Sequence, residues 1–587
     1  MPRRVLFPLL ITLILTILFA APIVDDFTFW GQMDWDQFVS WNAIGRDSLL
    51  RFQQFPLWNP YVNGGNVLFA HPHSPFLSPF YIFVIIFGAY IGLKIQIFLY
   101  LFIGLLGMYV LCRHYKLTPK ASFFSAVLFM LNSVYALHVT EGHTEWLVMA
   151  LLPWLFYFFL KSLQNVPYVI ASVGVLSLIL LNGSVDVFSI AVAFMLVYAA
   201  FKSFSVRSLR PLMVMSGILA GTALFCAVKL LPMLEFLHQF PRYTLDNSGT
   251  PWNILVRILL SRHQVAYDLY YIDQTQKMGI QYLWHEYGAY IGVIPLVMVI
   301  CGMVKTFKSR WPFVCSGIVF LFIALGRNAP VNVWLLLHCF PFWDSQKVPS
   351  RYILGFMFVA SLMAGYAFSY FEEWMNVLSV KKYRLFKYVP VLILLFVVCD
   401  LFAVNRPIFE HAFTIKPFAV KREQAFIQRY RKAVLFENGT SRSSIYPVFL
   451  SNSGILEAYE VVKVKSEGVR AFGEEGYRGE VFLAGGRGDV DVAFFSPNKV
   501  VINVQARQPD ILVMNQNYYT GWRVLSAGPS YPAEPYDGMV STPVPAGKAV
   551  YEFYYLPRSF LLGLAISLGC IVTASIYCYN KRDCFVT

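Results

Sequence analysis

Long apolar runs, separated by short basic stretches, recur along the chain. Only lipid or a very large core covers such runs, and in lipid the backbone must satisfy its own hydrogen bonds, so helices are expected. The runs lie at residues 5–23, 95–112, 122–138, 147–160, 167–181, 187–203, 211–228, 288–304, 312–325, 352–370, 388–404 and 559–578. They predict a polytopic α-helical membrane protein with about 12 spans. A further apolar stretch, 76–92, follows Pro75 and Pro79. Counting it as a crossing would turn most later basic clusters to the opposite side, so it is expected to be re-entrant or to lie at the interface. The first run follows Met1-Pro2-Arg3-Arg4 without a small-x-small cleavage site, and it is taken as a retained helix.

Between the last two runs the pattern changes. Val500-Val501-Ile502-Asn503-Val504, Ile511-Leu512-Val513-Met514 and Ala549-Val550-Tyr551-Glu552-Phe553-Tyr554-Tyr555 are short β-type segments divided by Pro/Gly turns. Residues 405–557 are therefore expected to form a β-sandwich-like domain placed before the last span. The chain divides into a multi-span membrane domain (1–404), this β-rich domain (405–557), and a last span with a short tail (558–587).

Composition agrees: 57% of residues are hydrophobic and 14% charged, against about 25% charged in soluble domains. The net charge of +14 does not point to nucleic acid. It sits in clusters between the runs, at Arg113/Lys116/Lys120, Lys202/Arg207/Arg210, Lys305/Lys308/Arg310, Lys381/Lys382/Arg384/Lys387 and Lys581/Arg582, with few acids nearby. That is the positive-inside pattern of cytoplasmic loops. It puts both termini in the cytoplasm and segments 24–94, 229–287, 326–351 and 405–557 outside. None of the nine cysteines falls in 405–557, and no CxxC metal site occurs.

Candidate chemistry concentrates in the first outer segment. Asp25, Asp26, Asp34 and Asp36 follow the opening run in a loop rich in Trp and Phe. A carboxylate there can take a proton from an acceptor hydroxyl or hold a divalent metal beside a phosphate. Asp34 and Asp36 can equally cap the helix expected after them. Glu141, His143 and Glu145 share a turn of about nine residues between two runs, a spacing that permits metal binding, proton relay or a plain interfacial cluster. His285 and Glu286 form a weaker pair, and His71 and His73 weaker still. Lys347 and Arg351 lie at the outer end of a run, where a phosphate could be held or the side chains could simply snorkel.

Several of these positions carry a family resemblance. Asp34-Trp35-Asp36-Gln37-Phe38, Pro56-Leu57-Trp58-Asn59-Pro60, Gly64-Gly65 and Pro75/Pro79 resemble the first outer loop of bacterial YfhO-like membrane proteins. Gly142-His143 before Pro153-Trp154 is similar to that family's GH…PW element, and Lys347-Val348-Pro349-Ser350-Arg351-Tyr352 to its R-x-P-S-R-F element. Tyr518-Tyr519-Thr520-Gly521-Trp522, Pro545-Ala546-Gly547 and Tyr555-Leu556-Pro557 resemble its closing pattern. Lys347 stands where the family more often has Arg, and Thr520 where it often has Pro.

The family is related to the GT-C glycosyltransferases. The resemblance implies a bacterial plasma-membrane enzyme that takes a sugar from a polyprenyl-phosphate donor and passes it to an extracytoplasmic glycan, polymer or lipid on the outer face. By position, Asp34 with its neighbour Asp36 would be the catalytic acid pair. Lys347 and Arg351 would bind the donor phosphate, and Glu141, His143, Glu145, His285 and Glu286 would support them or contact substrate. Any divalent metal (Mg or Mn) would fall to Asp34, Asp36 and His143. A transporter or flippase for lipid-linked saccharides, or a noncatalytic assembly factor, stays open as an alternative. Transporters place ionisable groups within spans and often show repeats, and neither is prominent here.

Overall fold

The computed structural model describes residues 3–25, 27–31, 33–242, 248–264, 279–381, 384–432, 445–464 and 467–580. The expected tail 581–587, with Lys581, Arg582 and Cys584, lies outside them, as do Lys382 and part of the outer segment 229–287.

Among the described residues eight helices are long and apolar enough to cross a membrane: Ala89–His114, Pro119–Glu141, Thr144–Ser162, Val185–Val206, Val293–Asn328, Pro349–Ser379, Arg384–His411 and Arg558–Tyr577. Two shorter apolar helices, Leu6–Ala20 and Pro167–Leu181, accompany them. The pair Arg210–Phe225 and Ala227–Gln239 is bent by 83°. The long helix Val293–Leu325 is not one straight rod. Arg310 leaves helical geometry (φ −130, ψ 19) two residues before Pro312, whose ring disfavours a continuous helix. A Cβ on Gly302 would lie 1.9 Å from the Met363 carbonyl, and one on Gly317 would lie 2.8 Å from Val359 Cγ1. Both arms therefore fold back on one short stretch of the helix Ile353–Lys381, and the break falls between the expected runs 288–304 and 312–325.

The stretch 76–92 contains a seven-residue helix, Tyr81–Phe87. At 1.5 Å per residue it extends roughly 10 Å, far short of a bilayer core. Gly88, at φ 86, separates it from Ala89–His114. The short helix packs back on its neighbour, with Val84 N 2.5 Å from where a Gly92 Cβ would stand.

Near the C-terminus two antiparallel sheets form. One orders Glu534–Tyr536, Met539–Val544, Asp510–Asn517 and Val481–Leu483; the other orders Tyr531–Pro532, Trp522–Leu525, Gly547–Tyr555, Lys499–Ala506 and Gly488–Ser496. Alternate residues (Val500, Ile502 and Val504; Tyr551, Phe553 and Tyr555) are buried, as a pleated strand with one covered face requires.

The boundary expected at residue 405 follows chain order but not packing. Trp58, from the first outer segment, is fully buried against Trp522 and Tyr555 of the five-stranded sheet, at ring distances of 5.4 and 4.9 Å. Its Nε1 donates to Gln516 Oε1 of the four-stranded sheet at 2.8 Å. Gly65 (φ +104) admits this ring, since a Cβ there would lie 2.8 Å from Trp58 Cζ2. Asn63 and Asn66 accept backbone N–H groups of Ala458 and Val464. The opening of the same segment is pinned by the buried Lys94, whose Nζ donates to the carbonyls of Phe27 and Phe29 at 2.7 and 3.1 Å. The first outer segment and the β-rich region are thus one packed unit above the helices.

Candidate active site

Asp34 opens the helix Asp34–Leu50, directly after Met33 at φ 57, a strained backbone for a residue with a side chain. The turn at Gly142 presses against this helix start. Gly142 has φ +102, and a Cβ there would stand 2.2 Å from Trp35 N, so glycine is required. Trp35 Nε1 donates to the Val139 carbonyl at 2.9 Å. This contact brings His143 Nε2 to 3.1 Å from Asp34 Oδ2, while His143 Nδ1 faces His138 Nδ1 at 2.8 Å.

Around that pair lies a cavity of about 260 Å³ lined by Asp34, Glu141, His143, His285, Glu286, Lys347 and Arg351, joined by His73, Asp186, Arg242 and Tyr459. Its size approaches the lower end of small-ligand sites, roughly 300–1,000 Å³. Side chains from the helix ends, the first outer segment and the β-rich region all contribute. A larger cavity of about 750 Å³ lies beside the β-rich sheets, around Phe52, Phe426, Phe494 and Phe495, and contains none of the candidates.

Burial works to raise the Asp34 carboxyl, but the His143 hydrogen bond and the nearby charges of His143, His285 and Arg351 outweigh it and hold the group below its ordinary 3.8. Its side chain retains 34% exposure and is open to the cavity. Burial also works against charge on His285, whose Nδ1 lies 3.1 Å from Glu141 Oε2 and whose Nε2 lies 3.5 Å from Glu286 Oε1. The two carboxylates prevail and push the ring to about 10. Against its burial, Glu286 is held well below the usual carboxylate range by Arg351 and His285.

Asp36 departs from expectation. It points away from the cavity and accepts the backbone N–H groups of Ile445 and Tyr446 at 2.8 and 3.0 Å, capping the helix Ile445–Leu450. Residues two apart on a helix diverge by about 200°, so Asp34 and Asp36 leave the helix on opposite sides and do not both face one pocket. Arg351 also differs from a free phosphate clamp. Its Nε donates to Glu286 Oε2 at 2.7 Å, Nη2 pairs with Glu286 Oε1, and Nη1 lies 3.0 Å from Asp186 Oδ2. Its fork is already filled. Lys347 lines the cavity, with Nζ 5.5 Å from the Tyr282 ring. Arg242 is a further cation of the cavity. Neither pairs with a carboxylate among the described residues, and burial lowers Arg242 from its usual value.

Arg242, Asp186, Tyr459 and His138 carry no recognisable motif. Only the fold brings them in. His71 is buried beside Trp41, with ring centres 4.5 Å apart, while His73 reaches the cavity. Burial lowers His73 to about 4, leaving the ring neutral. Glu145 sits behind the wall, fully buried.

The metal set expected from the sequence, Asp34, Asp36 and His143, does not converge, because Asp36 is committed elsewhere. His143, His285 and Glu286 do offer atoms within 4.8 Å of one another. Yet both His285 nitrogens face carboxylates, so this charged ring has no lone pair to offer an ion, and Glu286 is already held by Arg351.

No family model matches the sequence, and no curated protein does. Among solved structures, arabinofuranosyltransferase AftD from Mycobacteria aligns with 78% of this chain at 13% identity and a TM-score of 0.47. This chain covers 32% of AftD, about a third of its length. ArnT from Cupriavidus metallidurans, solved bound to undecaprenyl phosphate, aligns with 69% of this chain and 75% of its own, at 12% identity and a TM-score of 0.37.

Proposed function

We propose that this chain is a membrane glycosyltransferase that moves a sugar from a polyprenyl-phosphate donor to a hydroxyl of an extracytoplasmic glycan, polymer or lipid of the bacterial envelope. One observation carries the reading: an ionised, partly exposed carboxylate, Asp34, is oriented by His143 in a cavity that also holds Arg242 and Lys347, two cations without a carboxylate partner among the described residues. The sequence resemblance adds to it.

In this reading the acceptor hydroxyl donates its hydrogen bond to Asp34 and its oxygen attacks the anomeric carbon. The bond from that carbon to the phosphate oxygen breaks, and the electron pair leaves with the lipid phosphate. The proton passes to Asp34. Because the Asp34 carboxylate is held below its ordinary range it is a weak base, suited to orienting the hydroxyl and accepting the proton late. Arg242, through a planar fork, and Lys347, as a point charge, neutralise the departing phosphate. Arg351 positions Glu286 and Asp186. With the basic clusters in the cytoplasm, the cavity opens on the outer face of the plasma membrane and both termini lie inside.

The test is transfer from a polyprenyl-phosphate sugar in membranes carrying Asp34→Asn. Loss of about 10²–10⁴-fold is expected for a positioned proton acceptor, with Asp36→Asn retaining the rate per folded molecule. Full activity in Asp34→Asn overturns the proposal. Saccharide movement across proteoliposomes without a new glycosidic bond would assign transport instead.

A further inference from the structure

We infer that His73, Glu145 and Asp186 form a binding site for a divalent transition-metal ion in the wall of the Asp34 cavity. Each offers a ligand atom, and these atoms lie within 4.8 Å of one another. Ligand atoms about an ion with bonds of about 2.0–2.2 Å lie at most about 4.4 Å apart, so small side-chain adjustments would close the set on an ion.

The second observation is Glu145 itself. The residue is 4% exposed, and its Oε2, shut off from solvent, has no hydrogen-bond partner among the described residues. A buried carboxylate left this way is costly unless a cation or a proton meets it. The third concerns the histidine. His73 Nδ1 lies 3.1 Å from the Gly183 carbonyl, so Nδ1–H donates there and Nε2 keeps its lone pair. Ligating histidines are oriented by this backbone contact. It exists because Gly183, at φ +77, lets the two chain segments touch: a Cβ would stand 2.3 Å from the His73 carbonyl oxygen. From below, the buried Lys229 Nζ donates to the carbonyls of Phe69 and His71 at 2.9 and 2.6 Å, which fixes the loop bearing His73. Asp186, in the first turn of Val185–Val206, gives one oxygen to Arg351 at 3.0 Å, the outer hydrogen bond typical of ligating carboxylates.

One imidazole with two carboxylates suits Mn²⁺, Fe²⁺ or Zn²⁺ better than Mg²⁺ or Ca²⁺, which prefer oxygen alone. Three protein ligands leave coordination positions open. His73 and Asp186 line the cavity, so an ion held there would lie at its wall. On the transferase reading, a phosphate oxygen would complete the shell; binding of the ion does not depend on that reading.

The test uses the full chain purified in detergent, stripped with EDTA and reloaded with Mn²⁺ or Zn²⁺ separately. Metal content is read by mass spectrometry, and bound Mn²⁺ by electron paramagnetic resonance. We expect about one ion per chain, with Glu145→Gln and His73→Gln each weakening uptake by more than roughly tenfold, and His285→Gln retaining it. Monodisperse elution confirms that each variant is folded. Failure of the wild type to retain either ion overturns the inference, as does uptake by Glu145→Gln equal to wild type, or loss only in His285→Gln. Metal content is read without transfer, so a failed transferase assay leaves this result standing.

Discussion

At Asp34 two forces compete: burial favours the neutral acid, and the His143 hydrogen bond with nearby positive charge favours the anion. The anion prevails, so the carboxylate stays ionised throughout the neutral range and protonates only below its ordinary 3.8. Removing the donor with His143→Leu leaves burial as the larger influence and raises that value. The acid limb of kcat/KM is expected to move to higher pH, read from a pH–rate profile with and without the substitution; an unmoved limb would mean that His143 does not hold Asp34. Asp36 is bound differently, through two backbone N–H groups. Asp36→Asn should lower stability by about 1–3 kcal/mol, seen as a lower melting temperature at an unchanged turnover rate.

The working element is the turn after Pro119–Glu141, because its backbone path places His143 against the helix that begins at Asp34. Gly142 combines a positive φ with a site where Trp35 N leaves no room for a Cβ. Gly142→Ala is expected to cost more than about 1 kcal/mol and to depress transfer as His143 moves off Asp34. Gly174, within Pro167–Leu181, has open space around it and makes the control. Its alanine variant should gain up to about 1 kcal/mol without loss of activity. Melting curves and transfer rates on the two variants separate backbone strain from a general effect of added volume.

On the scale of the molecule, the β-rich region depends on a tryptophan from the other end of the chain. Trp58→Ala removes a fully buried ring and its hydrogen bond to Gln516, and about 3–5 kcal/mol of stability should go with it. Hydrogen exchange should show the loss across Asp510–Asn517 and Gly547–Tyr555 together. Orientation is checked in a cysteine-free background. Tyr459→Cys, at a cavity residue 65% exposed, should react with a membrane-impermeant maleimide in intact cells, and Arg207→Cys, in a basic cluster, should not. The opposite pattern would turn the cavity to the cytoplasm.

Charge deficit, apolar run length and the scarcity of acids in the basic loops are enough to read a helical membrane protein with a β-rich segment before its last span. Those properties depend on local composition, which solvent and lipid act on directly. The same pattern exposed Asp34, Glu141, His143, Lys347 and Arg351 as residues to weigh. It did not reveal that Asp36 faces the β-rich region, that the Arg351 fork is already filled, or that Arg242 and Tyr459 enter the cavity. Trp58 belongs to a recognisable motif, but nothing in that motif signals that the ring closes a core hundreds of residues away. Side-chain direction and partner choice depend on contacts between segments remote in sequence, and only the tertiary structure decides which carboxylate meets a cation, a backbone amide or an open cavity.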